Sequence, residues 1–166
     1  IAMLLIEQMQ ATERACDIQI FASDIDQDAL TFARAGVYPE SIAADVSAER
    51  LKQFFIKGEH TYRINKEVRE SVIVAEQNLI SNPPFSKLDL ISCRNLLIYL
   101  EAEAQKKILS LFHFALNEFG FLLLGNSETV THRHDLFHPV SKKWRIYRRL
   151  GPARQDKLEV PAARTG

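Results

Sequence analysis

The sequence predicts an α/β sandwich on a mostly parallel sheet, and three observations lead there. Short apolar runs of strand length, DIQIFAS, LDLISC and FLLLG, alternate with stretches whose apolar residues recur at helical spacing. Strand–helix alternation of this kind builds parallel sheets, because a parallel crossover needs a connection long enough to hold a helix. The last apolar run, KKWRIYRRL, instead alternates residue by residue and predicts an antiparallel edge strand closing the sheet.

At 166 residues the chain is long enough for one domain that buries roughly 70% of its unfolded surface. Hydrophobic residues make up 46% and charged residues 25%, an ordinary globular balance. Lys+Arg and Asp+Glu both number 21, which argues against a polyanion such as nucleic acid as the main partner. The longest apolar run is far shorter than a membrane span, so a cytoplasmic protein without membrane insertion is expected. Cys16 and Cys93 lie in apolar surroundings without framework spacing and predict reduced core thiols.

In chain order, IAMLLIEQM opens directly as a helix, with Ile1, Leu4, Leu5 and Met9 on one face and no capping residue or initiator Met before it. That start predicts an N-terminally truncated chain. Ile18, Ile20 and Phe21 predict a short buried strand. Asp26 then caps a helix carrying Ala29, Leu30 and Ala33, which ends at Gly36. Ser47 caps another, with Leu51, Phe54 and Phe55 as its stripe and Gly58 as its stop. HTYRIN and ESVIVAEQN predict two strands joined by a polar turn at Lys66 and Glu67, a compact β-hairpin insertion over about residues 58–76. The two prolines of ISNPPFSK make a loop. LDLISC is a central strand, and Ile108, Leu111, Phe112 and Ala115 mark a long helix ended by residues 117–120. FLLLG follows as a strand, HRHDLF as a turn, and residues 151–166 as a linker or tail after a domain of residues 1–150.

In open parallel sheets ligands bind beyond the carboxyl ends of the strands. The residues there are Asp24, Asn78, Arg94 with Asn95, and Asn126 to Glu128, all polar. An acid placed like Asp24 can accept charge-assisted bonds from ribose hydroxyls, although Asp24 or Asp26 can equally well cap the following helix. Tyr99 stands four residues beyond Asn95, one turn away if the segment is helical.

Taken together, FASDIDQDALTFARAGVY, the later QNL, FSKLDLISCRNLLIYL and FLLLGNSE resemble the CheR-type protein-glutamate O-methyltransferases of bacterial chemotaxis, in order and at similar spacing from Ile1 to about Leu150. The resemblance implies a Rossmann-like class I methyltransferase sandwich that uses S-adenosyl-L-methionine (SAM). It implies that the first strand and the glycine-rich SAM loop are missing. It assigns Asp24 to the ribose hydroxyls, Asn78 and Leu79 to the adenine, Arg94 and Asn95 to the methionine end, and Tyr99 to the transferring methyl. The implied substrate is a glutamate carboxylate on the cytoplasmic helices of a chemoreceptor, or a related signalling protein. Asn126 stands where the family often has His and takes no role. The compact 58–75 segment makes docking of a receptor tail doubtful.

Other readings compete. The parent protein could be a signalling module that binds SAM or a partner without catalysis. NPPF, Asn82 to Phe85, matches the motif of amino-methyltransferases, but it precedes its strand where those enzymes have it end one. His132, His134 and His138 lack a completing Cys or acid for a metal site. Lys142, Lys143, Arg145, Arg148 and Arg149 predict the solvated face of an edge strand, able to attract acidic helices.

A sheet lacking a middle strand exposes two unpaired edges. The isolated chain is therefore predicted to be marginally stable or to self-associate through those edges, and to be inactive. Sizing chromatography combined with SAM calorimetry checks this; a stable monomer that binds SAM contradicts it.

Overall fold

The computed structural model describes residues 1–151. Beyond Gly151, the predicted tail lies outside the described residues. The chain divides into two compact units, Ile1–Asn78 and Leu79–Gly166.

In the first unit, helix α1 (Ala2–Thr12) buries Ala2 and Ile6. Strand β1 (Ile20–Asp24) leads into α2 (Gln27–Ala35), whose N-terminal amides are capped by the Asp26 side chain. Gly36 ends α2 in the left-handed region at φ 59°. A Cβ there would also stand 2.7 Å from Ile64 Cγ2, so both backbone and space call for glycine. Strand β2 (Val37–Pro39), a 3-10 turn (Glu40–Ala44) and α3 (Ala48–Phe54), capped by Ser47, follow. Then come β3 (Phe55–Lys57), β4 (Thr61–Ile64), α4 (Lys66–Glu70) and β5 (Val72–Glu76).

β5 lies parallel to β1, pairing Ile20 with Val72 through to Asp24 with Glu76. β2, β4 and β3 form a separate antiparallel sheet in that order. Two expectations are corrected here. The helix after Ser47 does not run to Gly58; it stops at Phe54, and Phe55 turns extended to pair with Ile64. The β-branched and aromatic run Phe55–Ile56 is better satisfied in a hairpin than in a last helical turn. The hairpin is therefore β3–β4, not a pairing across Lys66 and Glu67. Asn65 caps a short helix at those residues, its side chain accepting the Val68 amide at 3.1 Å, and frees β5 for the parallel sheet.

Phe54 is fully buried among Ala2, Ile6, Phe55 and Val68, with Tyr38 and Tyr62 edge-on to the Phe55 ring. Arg50 reaches from α3 to Glu7 of α1 with two bonds, Nε to Oε1 at 2.7 Å and Nη2 to Oε2 at 2.8 Å. The Arg50 hydrogen bond holds the Glu7 carboxyl below its usual range.

In the second unit, β6 (Leu88–Cys93) is followed by a 3-10 turn (Leu97–Tyr99), α5 (Ala102–Ala115), β7 (Leu116–Leu124), a 3-10 turn (Thr131–Arg133), β8 (Phe137–Ser141) and β9 (Ile146–Arg149). The sheet order is β6-β7-β9-β8, with β6 and β7 parallel and the other pairs antiparallel. Leu97, Leu109, Phe112, Leu116, Leu122, Leu124 and Phe137 form its core.

Three further expectations change. β7 begins at Leu116, directly after α5. Residues 117–120 are taken up in a register shift against β6 rather than in a loop, with Phe119 at φ 67°. KKWRIYRRL is not the edge: β9 lies between β7 and β8, and the outer strand is FHPVS, which no periodicity in the sequence marks. Pro139 fits that outer place, since proline has no amide to donate to a second neighbour. Arg149 is consequently buried, donating from Nη1 to the Leu116 carbonyl, whereas Lys142, Lys143 and Arg148 remain exposed. Cys93 is a core thiol but Cys16 is exposed, since it falls in the connection after α1 rather than in an element.

Among the described residues, β1 and β6 are each paired on one side only. No described helix is long and apolar enough to cross a membrane.

His113 is buried on α5, its Nε2 2.7 Å from the Leu150 carbonyl and its ring edge-on to Phe137. A carbonyl only accepts, so Nε2 carries the proton. Burial, then the charges of Arg149 and Arg133, hold the imidazole below its ordinary pKa despite the Leu150 bond and Asp135. The unfolded chain therefore binds a proton more readily than the folded one. Stability is full above about pH 6.5 and is lost as pH falls toward the depressed folded value. Urea unfolding between pH 7 and about 5.5 is expected to show this decline, and His113→Leu to flatten it from a lower starting stability. An unchanged slope in the variant contradicts the assignment.

Candidate functional site

In each unit the polar residues gather where parallel strands end. In the first, β1 ends at Asp24 beside Glu76 of β5. Asp24 Oδ1 accepts the amides of Ile25 at 2.7 Å and Asp26 at 3.0 Å. Asp26, not Asp24, caps α2, accepting from Asp28 at 2.9 Å and Ala29 at 3.3 Å. The two readings of this acidic pair are thereby separated. Asp24 is exposed at a strand end, and its second carboxylate oxygen takes part in neither turn bond. The Gln77 amide donates to the Asp24 carbonyl at 3.0 Å, which brings exposed Asn78 to the same strand end. Glu76 is engaged by the Gln27 side chain at 2.5 Å.

In the second unit, β6 delivers Arg94 and Asn95, both exposed, and the 3-10 turn delivers Tyr99, which is 79% exposed. Leu79 is half-buried and packs against that unit's core. Arg94, Asn95 and Tyr99 thus share one short segment. Asn95 sits at φ 60°, a left-handed conformation that asparagine tolerates better than most residues.

Neither the sequence pattern nor the resemblance assigns a role to the residue that holds this segment. Glu128 is only 3% exposed, and its carboxylate accepts four backbone amides. Oε1 takes Leu96 at 2.9 Å and Leu97 at 2.8 Å; Oε2 takes Asn95 at 3.1 Å and Gly125 at 2.7 Å. Successive amides following a left-handed residue form an anion nest, and here an internal carboxylate fills it. Gly125 leaves it room, because a Cβ there would stand 2.6 Å from Glu128 Oε2 and 3.2 Å from Asn95 Oδ1. The available signal was a lone acid three residues past a strand-ending glycine, in GNSE. Burial, then the Glu128 charge, push the Cys93 thiol up to about 12, so it is a packing group rather than a nucleophile.

NPPF lies in the connection 77–87, six residues beyond the end of β5 and ahead of β6, so no strand delivers it. His134 and His138 are exposed, and no group of His, Cys, Asp and Glu among the described residues could hold a metal ion. Asn126 offers its backbone carbonyl to Arg145 Nε at 3.0 Å.

A family model described as "CheR methyltransferase, SAM binding domain" matches residues 1–146. An "Uncharacterized 104.1 kDa protein in hypE 3'region" of Rhodobacter capsulatus is 38% identical over 152 residues, covering 92% of this chain and 16% of that protein. A "Probable chemotaxis protein methyltransferase" of Rhizobium etli is 38% identical over 120 residues, 69% of this chain and 45% of the relative. "Chemotaxis protein methyltransferase 2" of Vibrio cholerae is 32% identical over 142 residues, 83% of this chain and 49% of the relative. The chain spans less than half the length of each of these relatives.

The contrast between the cysteines is measurable. At pH 8 a thiol reagent is expected to modify Cys16 quickly and Cys93 only on unfolding; rapid modification of both contradicts the raised Cys93 pKa.

Proposed function

The chain belongs to the CheR methyltransferase SAM-binding domain family, and from that premise we propose that the protein methylates glutamate side chains on chemoreceptor cytoplasmic helices, forming methyl esters. The observation that carries the reading is that, within the matched residues, every predicted cofactor side chain lies within three residues of the carboxyl end of β1, β5 or β6, and Tyr99 follows on the 3-10 turn after β6.

SAM is the cofactor of this family, and the donor set fits it. Asp24 offers a carboxylate oxygen outside its turn bonds, as ribose hydroxyls require. Asn78 and Leu79 would flank the adenine, and Arg94 and Asn95 the methionine end. Bound SAM supplies a methyl group on a positively charged sulfur, which a carboxylate oxygen can take up as an ester.

The chain's own residues have little proton chemistry to perform. A substrate glutamate is already ionised at neutral pH, with an ordinary pKa of about 4.3, so no general base is needed. Tyr99, exposed on its turn, would orient that carboxylate rather than deprotonate it. Stripping water from the carboxylate and holding the partners in contact would supply the acceleration.

The full-length protein, incubated with methyl-labelled SAM and receptor-bearing membranes, is expected to yield base-labile methyl label. Asp24→Asn removes a charge-assisted acceptor, an effect of about 1.5–3 kcal/mol, and is expected to weaken SAM binding roughly tenfold or more. Tyr99→Phe is expected to lower kcat with little change in the KM for SAM. SAM binding without any base-labile ester would replace this reading with a catalytically silent binding module.

A further inference from the structure

We infer that Glu128 is the positioning residue of the transfer segment: its buried carboxylate sets the backbone of Asn95, Leu96 and Leu97, and through it the placement of Arg94, Asn95 and Tyr99. The inference rests on the proposed roles of those three residues and adds the group that aligns them.

The strands alone do not fix this segment. β6 ends at Cys93, and the next regular element among the described residues is the 3-10 turn at Leu97–Tyr99. Between them the backbone takes a left-handed step at Asn95, after which Leu96 returns to the right-handed region at φ −111°, ψ −50°. Three successive amides then point one way with no backbone carbonyl to receive them, and two carboxylate oxygens receive all three. The fourth bond, from Gly125, anchors the same carboxylate to the end of β7. Glu128 therefore pins the exit of β6 to the exit of β7. Its Cα is held in turn by the bond from its own amide to the Gly125 carbonyl, 3.0 Å.

This geometry separates a positioning role from ordinary packing. A packing residue would lower stability and leave the binding of the folded protein unchanged. A neutral amide in place of the carboxylate has similar size but brings an NH2 group toward amides that can only donate. Glu128→Gln should thus release residues 95–97 while leaving the Leu109 and Leu122 core in place. The same release should follow from the other side of the cradle, since Gly125→Ala puts a methyl group into the space of Oε2.

The test uses the full-length protein. Hydrogen exchange is expected to find the amides of Asn95, Leu96, Leu97 and Gly125 protected, and Glu128→Gln to lose that protection while Leu109 and Leu122 keep theirs. The folded variant is expected to bind SAM about tenfold more weakly and to lose kcat at saturating SAM as well. Gly125→Ala should reproduce both effects, and the double variant should be little worse than either single one. If Glu128→Gln fails to fold, Gly125→Ala carries the comparison. Asn95→Ala serves as the control. Weakened SAM binding by Asn95→Ala beside unchanged binding in a folded Glu128→Gln or Gly125→Ala variant overturns the positioning role. Unchanged binding by Asn95→Ala overturns the site reading, and this inference with it.

Discussion

Parallel pairing of strands is the constraint on which the rest of this structure depends. Two parallel strands send their carboxyl ends to the same edge, and the chain must return the length of the strand before it can pair again. β1 and β5 obey this in one unit, and β6 and β7 in the other. The returning chain forms α2 to α4 in the first case and α5 in the second. Residues at or just past the carboxyl ends stand where the backbone ladder stops, while a rigid sheet still holds them. Asp24, Arg94 and Asn95 occupy such places, so the apolar pattern that builds the sheet also decides where the polar chemistry can stand.

A strand end fixes position but not direction. Beyond β1, local turn chemistry supplies direction: Asp24 accepts the next two amides and Asp26 caps the helix that follows. Beyond β6 no local acceptor is in place for the amides of residues 95–97, and the solution comes from 31 to 33 residues further along the chain. Burying the Glu128 carboxylate would be costly without partners, and four amides offset that cost. The neighbouring Cys93 registers the same charge, its thiol held protonated by burial and by Glu128. Polar satisfaction of Glu128 and the backbone geometry of residues 95–97 are thus one arrangement in the second unit.

Much of this was legible in one dimension. Asp26 and Ser47 announced their helices as caps, Gly36 announced a helix end, and LDLISC and FLLLG announced strands, although LDLISC buries only Cys93. The errors fall where short segments had two local solutions. Phe55 and Ile56 fit either the stripe of a helix or a strand, and pairing with β4 chose the strand. Lys66 and Glu67 fit either a hairpin turn or a helix start, and Asn65 with the parallel β1–β5 ladder chose the helix. FHPVS is illegible as a strand in one dimension because its proline is tolerable only on the outside of a sheet.

The sequence by itself determined the fold class, the family, and the strand ends at which polar residues stand, because hydrophobic period and capping chemistry are local properties. It also determined that SAM is the cofactor the family implies. Tertiary structure alone decided that β9 is an inner strand and that Arg149 is therefore buried. It alone decided that Glu128 closes on the amides of residues 95–97 and Gly125. Both facts are about which distant backbone meets which side chain. Periodicity says which face of an element is apolar, but not which element will lie against it.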